Sequence, residues 1–169
     1  MSRVNIWLPS ALICLSVFIR TTLFQHIQIA GASPDLALIL LVFFANRQGS
    51  LRTEIAGFIS GLVEDFLSLS PLGFNAFIKT LIGYIFGITR GKILIDAVLM
   101  PAVLLTIATL LKSLGGIILI LLFLNPELLK NIFSVKVLVE IAMNALLSPF
   151  IFAVFKILRA FNVIEKDEY

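Results

Sequence analysis

Charge is scarce in this sequence. Asp, Glu, Lys and Arg make up 14% of its 169 residues, where a soluble domain carries about a quarter. With 60% of residues hydrophobic and a mean hydropathy of +1.09, there is too little polar surface to coat a water-soluble globule. The expected solvent is a bilayer. Cysteine is limited to Cys14, which excludes an internal disulfide. Set in an apolar run, it reads as a small buried residue, and the Leu-Ile before it lacks the small residue that precedes a lipoprotein cysteine. Histidine is limited to His26, with no Cys, His or carboxylate cluster around it, so no metal site is expected. There is no nucleophile–base pairing, phosphate loop or dinucleotide glycine pattern. Neither catalytic residues nor a cofactor is therefore expected. A net charge of +3, scattered along the chain, does not point to nucleic acid.

What is abundant is apolar sequence in long runs. Six stand out, at about 6–24, 34–45, 54–69, 71–89, 98–124 and 135–158, and length allows one integral membrane domain spanning 1–169. A straight span needs about 20 residues, so the second and third runs are short. A re-entrant second segment is the alternative to a crossing. The fifth run is long and contains Gly115-Gly116, so a tilt or kink is expected there. Arg3, the first apolar run and Ala30-Gly31-Ala32 together imitate a signal peptide. Arg20, however, ends that run about a dozen residues before the triplet, too far for cleavage, and the segment reads as a retained first helix. Ser33-Pro34-Asp35 has the grammar of a cap, a proline at the first helical position and an acid in the first turn. Ser70-Pro71 repeats it, and Pro126-Glu127 opens the fifth connection. The short connections predict antiparallel neighbours in one bundle.

The basic residues set an orientation. With six spans, Arg3, Arg47, Arg52, Arg90, Lys92, Lys156, Arg159 and Lys166 fall on one side. Lys130 and Lys136 fall on the other, with Arg20 near its boundary. This asymmetry places both termini in the cytoplasm, and it also favours a true crossing by the second segment.

Gly57 and Gly61 form a G-x-x-x-G pair, which lets a neighbouring helix approach closely in lipid. Asp65 continues that face, about 16 Å along the helix from Glu54, and Glu64 lies about 100° around. A charge costs about 2.5–3.5 kcal/mol at the membrane centre on insertion scales, and less near an interface, so Asp65 needs a partner or a role. The backbone N–H groups and Ser70 hydroxyl at the start of the fourth helix are one candidate partner. Lys79 is the other. Asp65 thus either staples the hairpin of the third and fourth helices, serves a solute or proton site, or contacts another membrane protein. Glu140 and Asn144 share a face with Lys136 a turn before, a spacing that allows an internal Lys136–Glu140 pair. Lys112 either snorkels or lines the same interior. Candidate buried polar residues are Glu64, Lys79, Lys112, Glu140 and Asn144.

The stretch from Pro34-Asp35 to Phe77 resembles the bacterial rod shape-determining protein family MreD. The shared features are Pro-Asp opening a short apolar helix, a basic turn, then Gly57-Phe58, Gly61-Leu62 and Asp65, followed by Pro71-Leu72-Gly73-Phe74-Asn75-Ala76. The motif covers about a quarter of the chain, and length and the run of spans agree with it. Glu64 departs from the family pattern, where a Gln or apolar residue is commoner, and strengthens the local negative charge. The resemblance implies a six-helix fold similar to the substrate-binding subunits of energy-coupling factor transporters. It also implies a non-enzymatic part in the cell-wall elongation complex and in cell shape, beside MreC, MreB, RodA and a penicillin-binding transpeptidase in the inner membrane. It nominates Pro34, Asp35, Gly57, Gly61, Asp65, Leu72, Gly73 and Asn75 as helix-packing or partner-contact residues. The competing reading is a small-molecule-binding subunit of a membrane transporter. Such subunits often carry alanines four apart on the first helix, where this chain has only Ala11.

Overall fold

The computed structural model describes residues 7–22, 28–68, 70–91, 99–123 and 135–157. Arg3, His26, Lys92, Pro126, Glu127, Lys130, Arg159 and Lys166 lie outside them. The described residues form six α-helices: α1 Trp7–Thr22, α2 Leu36–Gln48, α3 Ser50–Ser68, α4 Phe74–Ile88, α5 Leu99–Phe123 and α6 Val135–Ile157. Helix α3 begins four residues before the expected Glu54. Helix α5 runs as one continuous helix through Gly115 and Gly116.

Helix α2 is the axis of the bundle. It packs against all five others, which neighbour one another around it in the order α1–α3–α4–α5–α6. Every residue from Ala37 to Asn46 is buried, which explains why this run has no polar face. Its 13 residues span only about 20 Å. Both ends rest on protein: Asp35 caps the first turn, its side chain accepting from Leu38 N–H at 3.0 Å, and Gly49 N–H donates to Ala45 O at 3.1 Å. The cap is therefore Asp35, where the sequence grammar had put Ser33, and Pro34 precedes the helix. The α2–α3 connection is the single residue Gly49, at φ 86°, a backbone region that favours glycine.

At the Gly49 end, Phe43 and Phe44 of α2 meet Phe152 and Phe155 of α6 in edge and tilted contacts with centroids 5.0–6.3 Å apart, packing that adds to simple burial. Large apolar side chains cover the outside of the bundle: Leu15 and Phe18 on α1, Phe58 and Phe66 on α3, Ile107, Leu114 and Leu121 on α5, Leu138 and Phe150 on α6 are all exposed. Helix α6 contains Pro149, which removes the hydrogen bond to Ala145 O. The Ser148 hydroxyl restores a donor to that carbonyl at 3.0 Å, as a helix shielded from water requires. Helix α5 and residues 135–156 of α6 are long and apolar enough to cross a membrane.

Candidate functional site

The α3–α4 hairpin is built on four glycines. A Cβ at Gly57 would lie 2.6 Å from Lys79 O, and one at Gly61 2.3 Å from Ala76 Cα. On α4, a Cβ at Gly83 would lie 2.6 Å from Thr53 O, and one at Gly87 2.3 Å from Ser50 Cα. The two G-x-x-x-G faces thus press backbone to backbone along the whole hairpin. Thr53 Oγ1 adds a cross-helix hydrogen bond to Gly83 O at 3.0 Å. Sequence reasoning missed the α4 pair, although its spacing repeats that of Gly57 and Gly61.

Asp65 closes the turn end of this hairpin. Helix α4 starts at Phe74 with Gly73 as N-cap, at φ 94° and without a side-chain cap of its own; Ser70-Pro71 belongs to the preceding turn, not to the helix. Asp65 supplies the missing cap from α3. Its Oδ2 accepts from Gly73 N–H at 2.9 Å and Ala76 N–H at 3.3 Å. Its Oδ1 accepts from Asn75 N–H and Nδ2, both at 2.9 Å, and from the Ser70 hydroxyl at 3.4 Å. A carboxylate facing the orphan N–H groups and positive end of a helix is well placed. Of its two candidate partners, Asp65 takes the backbone and Ser70. Lys79 goes elsewhere. Leu72, by contrast, is 68% exposed among the described residues.

Lys79 instead pairs with Glu64, and this pair opens a chain of alternating charges through the bundle. Arg20 Nη1 donates to Glu64 Oε1 at 2.7 Å and lies 3.4 Å from Asp35 Oδ2. Lys112 Nζ donates to Asp35 Oδ2 at 2.5 Å and to Glu140 Oε1 at 2.7 Å. The order Lys79, Glu64, Arg20, Asp35, Lys112, Glu140 takes one residue from each helical segment and alternates in sign throughout. Three cations balance three anions. Asp35 is fully buried, and its backbone N–H donates to Asn144 Oδ1 at 2.8 Å. Asn144 Nδ2 in turn donates to Thr109 Oγ1 at 3.0 Å, and Arg20 Nε donates to Ser33 Oγ at 3.4 Å.

Two sequence assignments change as a result. Glu140 pairs with Lys112 across α5 and α6 rather than with Lys136. The Lys136 side chain extends over Gly31 instead. Arg20, counted only as a cation at the boundary, is a member of the interior chain. The one signal for this was its position at the end of the first apolar run, where its long side chain can reach back into the bundle.

Among the described residues, no group of three His, Cys, Asp or Glu is arranged to hold a metal ion. The buried carboxylates face cations or backbone N–H groups of their own chain, so they lock helices together. Apolar outside, and paired within by charges drawn from every helix, the fold defines an all-helical membrane protein. The chain belongs to the family of the rod shape-determining protein MreD, whose family model matches residues 1–158. That family consists of shape-determining structural membrane proteins and is not a known enzyme family. No curated protein and no solved structure matches the chain.

Proposed function

We propose that this chain is a six-span, non-enzymatic component of the bacterial inner membrane, with both termini in the cytoplasm, that binds MreC. In this role it stabilises the wall-elongation complex containing MreB, RodA and a penicillin-binding transpeptidase. The observation that carries this reading is family membership across residues 1–158. The site is consistent with it: the acids that a transporter would use are engaged by partners within the same chain. The short α2 supports the six-span count, since its ends are seated on protein rather than lipid, and irregular backbone at membrane depth is tolerated there. Arg47, Arg52, Arg90 and Lys156 lie at the end of the bundle opposite Arg20 and Lys136, which supports the orientation.

The test is purification of the tagged chain from native membranes in mild detergent, with mass spectrometry of the proteins retained. Recovery of an MreC-like single-span protein with wall synthases is the expected outcome. Recovery of a coupling membrane protein with paired ATPases would overturn the reading in favour of a transporter subunit.

A further inference from the structure

Helix α5 is longer than its surroundings. Its 25 residues span about 37 Å, against a hydrocarbon core of about 30 Å. Its neighbours start later. Lys112 meets Glu140 and Thr109 meets Asn144, so α5 and α6 run antiparallel, and Gly116 stands level with the first turn of α6. A Cβ on Gly116 would lie 3.6 Å from Phe74, the first residue of α4. Residues 117–123 therefore continue about 10 Å past the start of both helices. The packing changes at the same point. Leu104, Leu105, Ala108 and Thr109 are buried before Gly116, whereas within 117–123 the buried residue is Ile120 alone. Ile118, Leu121, Leu122 and Phe123 are exposed.

Gly115 and Gly116 occupy this junction, and the packing there does not call for glycine. Neither has a left-handed φ. The four hairpin glycines face backbone atoms at 2.3–2.6 Å. Among the described residues, a Cβ at Gly115 would instead meet the Ile78 side chain at 3.4 Å or more, and one at Gly116 would meet Phe74 Cζ. Adjacent glycines weaken a helix, and where sterics do not require them their effect is flexibility. Ser113 Oγ donates to Thr109 O at 3.0 Å, a back-bond that favours bending. Just before the junction α5 is held fast, because Lys112 Nζ is shared between Asp35 and Glu140. We propose that Gly115-Gly116 is a hinge about which residues 117–123 swing to match the thickness of the surrounding bilayer. A helix longer than the hydrocarbon core tilts or kinks, and here the bend falls where the glycines lie and the neighbouring helices end.

The experiment uses the full chain carrying Cys14→Ser, reconstituted in phosphatidylcholine bilayers of short, medium or long acyl chains. Spin labels on Leu122→Cys and Phe66→Cys report the arm against the α3–α4 hairpin, and labels on Val103→Cys and Phe66→Cys report the fixed part of α5. The first pair is expected to give a broad distance distribution in short-chain lipid that narrows to a single distance in long-chain lipid. The second pair should be narrow and unchanged throughout. In Gly115→Ala/Gly116→Ala the first pair should be narrow in every lipid, with a Tm in detergent no lower than that of the unaltered protein. A distribution for the first pair that ignores lipid length in the unaltered protein overturns the proposal, and so does a breadth that survives the double substitution. Movement of the Val103 pair would place the motion in the whole helix and overturn the hinge. A double variant that fails to fold would contradict the room around both glycines on which the hinge rests.

Discussion

Arg20 and Glu64 meet at 2.7 Å although 44 residues separate them in the chain. This contact joins the last turn of α1 to the α3–α4 hairpin. Arg20 also approaches Asp35 at 3.4 Å, and it thereby links the Lys79–Glu64 pair to the Asp35–Lys112–Glu140 group. The pair is neutral, whereas the group of three carries one negative charge in excess. Joined through Arg20, they are neutral.

Replacing Arg20 with Leu should therefore cost about 3 kcal/mol, because it leaves three buried or half-buried carboxylates to share two lysines. The double variant Arg20→Leu/Glu140→Gln leaves two neutral pairs, Lys79–Glu64 and Asp35–Lys112, and should recover part of that loss. Thermal unfolding in detergent reads both. A double variant no more stable than Arg20→Leu would show that excess negative charge is not what destabilises the single variant.

Burial should rank the members of the charge chain. Lys112→Met strands Asp35, which is fully buried, whereas Glu140→Gln removes a partly exposed carboxylate. The first should lower stability by about 3 kcal/mol and the second by about 1 kcal/mol or less. The reverse order in unfolding midpoints would remove Asp35 from the centre of the chain.

The glycines divide by what a methyl group would meet. Gly61→Ala and Gly87→Ala place it 2.3 Å from a neighbouring Cα and should destabilise by about 2 kcal/mol or more, since packed backbones must separate. Gly116→Ala meets Phe74 Cζ at 3.6 Å, an ordinary contact, and should be neutral or stabilising by up to about 1 kcal/mol through helix propensity. Similar unfolding midpoints for all three would contradict the backbone contact between α3 and α4.

Asp65→Leu removes the cap of α4 and should cost about 1–2 kcal/mol. Asp65→Asn keeps one acceptor oxygen and should lose roughly half as much. Hydrogen exchange at Asn75 and Ala76 is the direct readout, and it should rise in the Leu variant. If exchange there is unchanged while co-purification of MreC is lost, Asp65 serves the partner rather than the hairpin.

Parts of the site were legible in the sequence because their information is local. Gly57, Gly61 and Asp65 share one helical face by spacing alone, and a short connection brings the start of α4 beside them, so a stapled hairpin could be expected. The charge partners were not legible. Helical spacing suggested Lys136 for Glu140, and nearness along the chain suggested Lys79 for Asp65. Both acids chose other partners: a backbone N-terminus for Asp65, and a lysine from the neighbouring helix for Glu140. The burial of α2 on every side was equally hidden. A short apolar run reads the same whether it enters lipid partway or lies among other helices.

By itself the sequence determined that the chain is a bundle of apolar helices, where each helix falls, and which family it belongs to. Hydropathy, turn residues and a motif of about a quarter of the chain are written in order along one dimension. Only the tertiary structure decided that Lys79, Glu64, Arg20, Asp35, Lys112 and Glu140 form one neutral chain. Pairing between ions depends on distance across helices, and in an interior that excludes water each buried charge is held by whichever opposite charge the packing brings within reach.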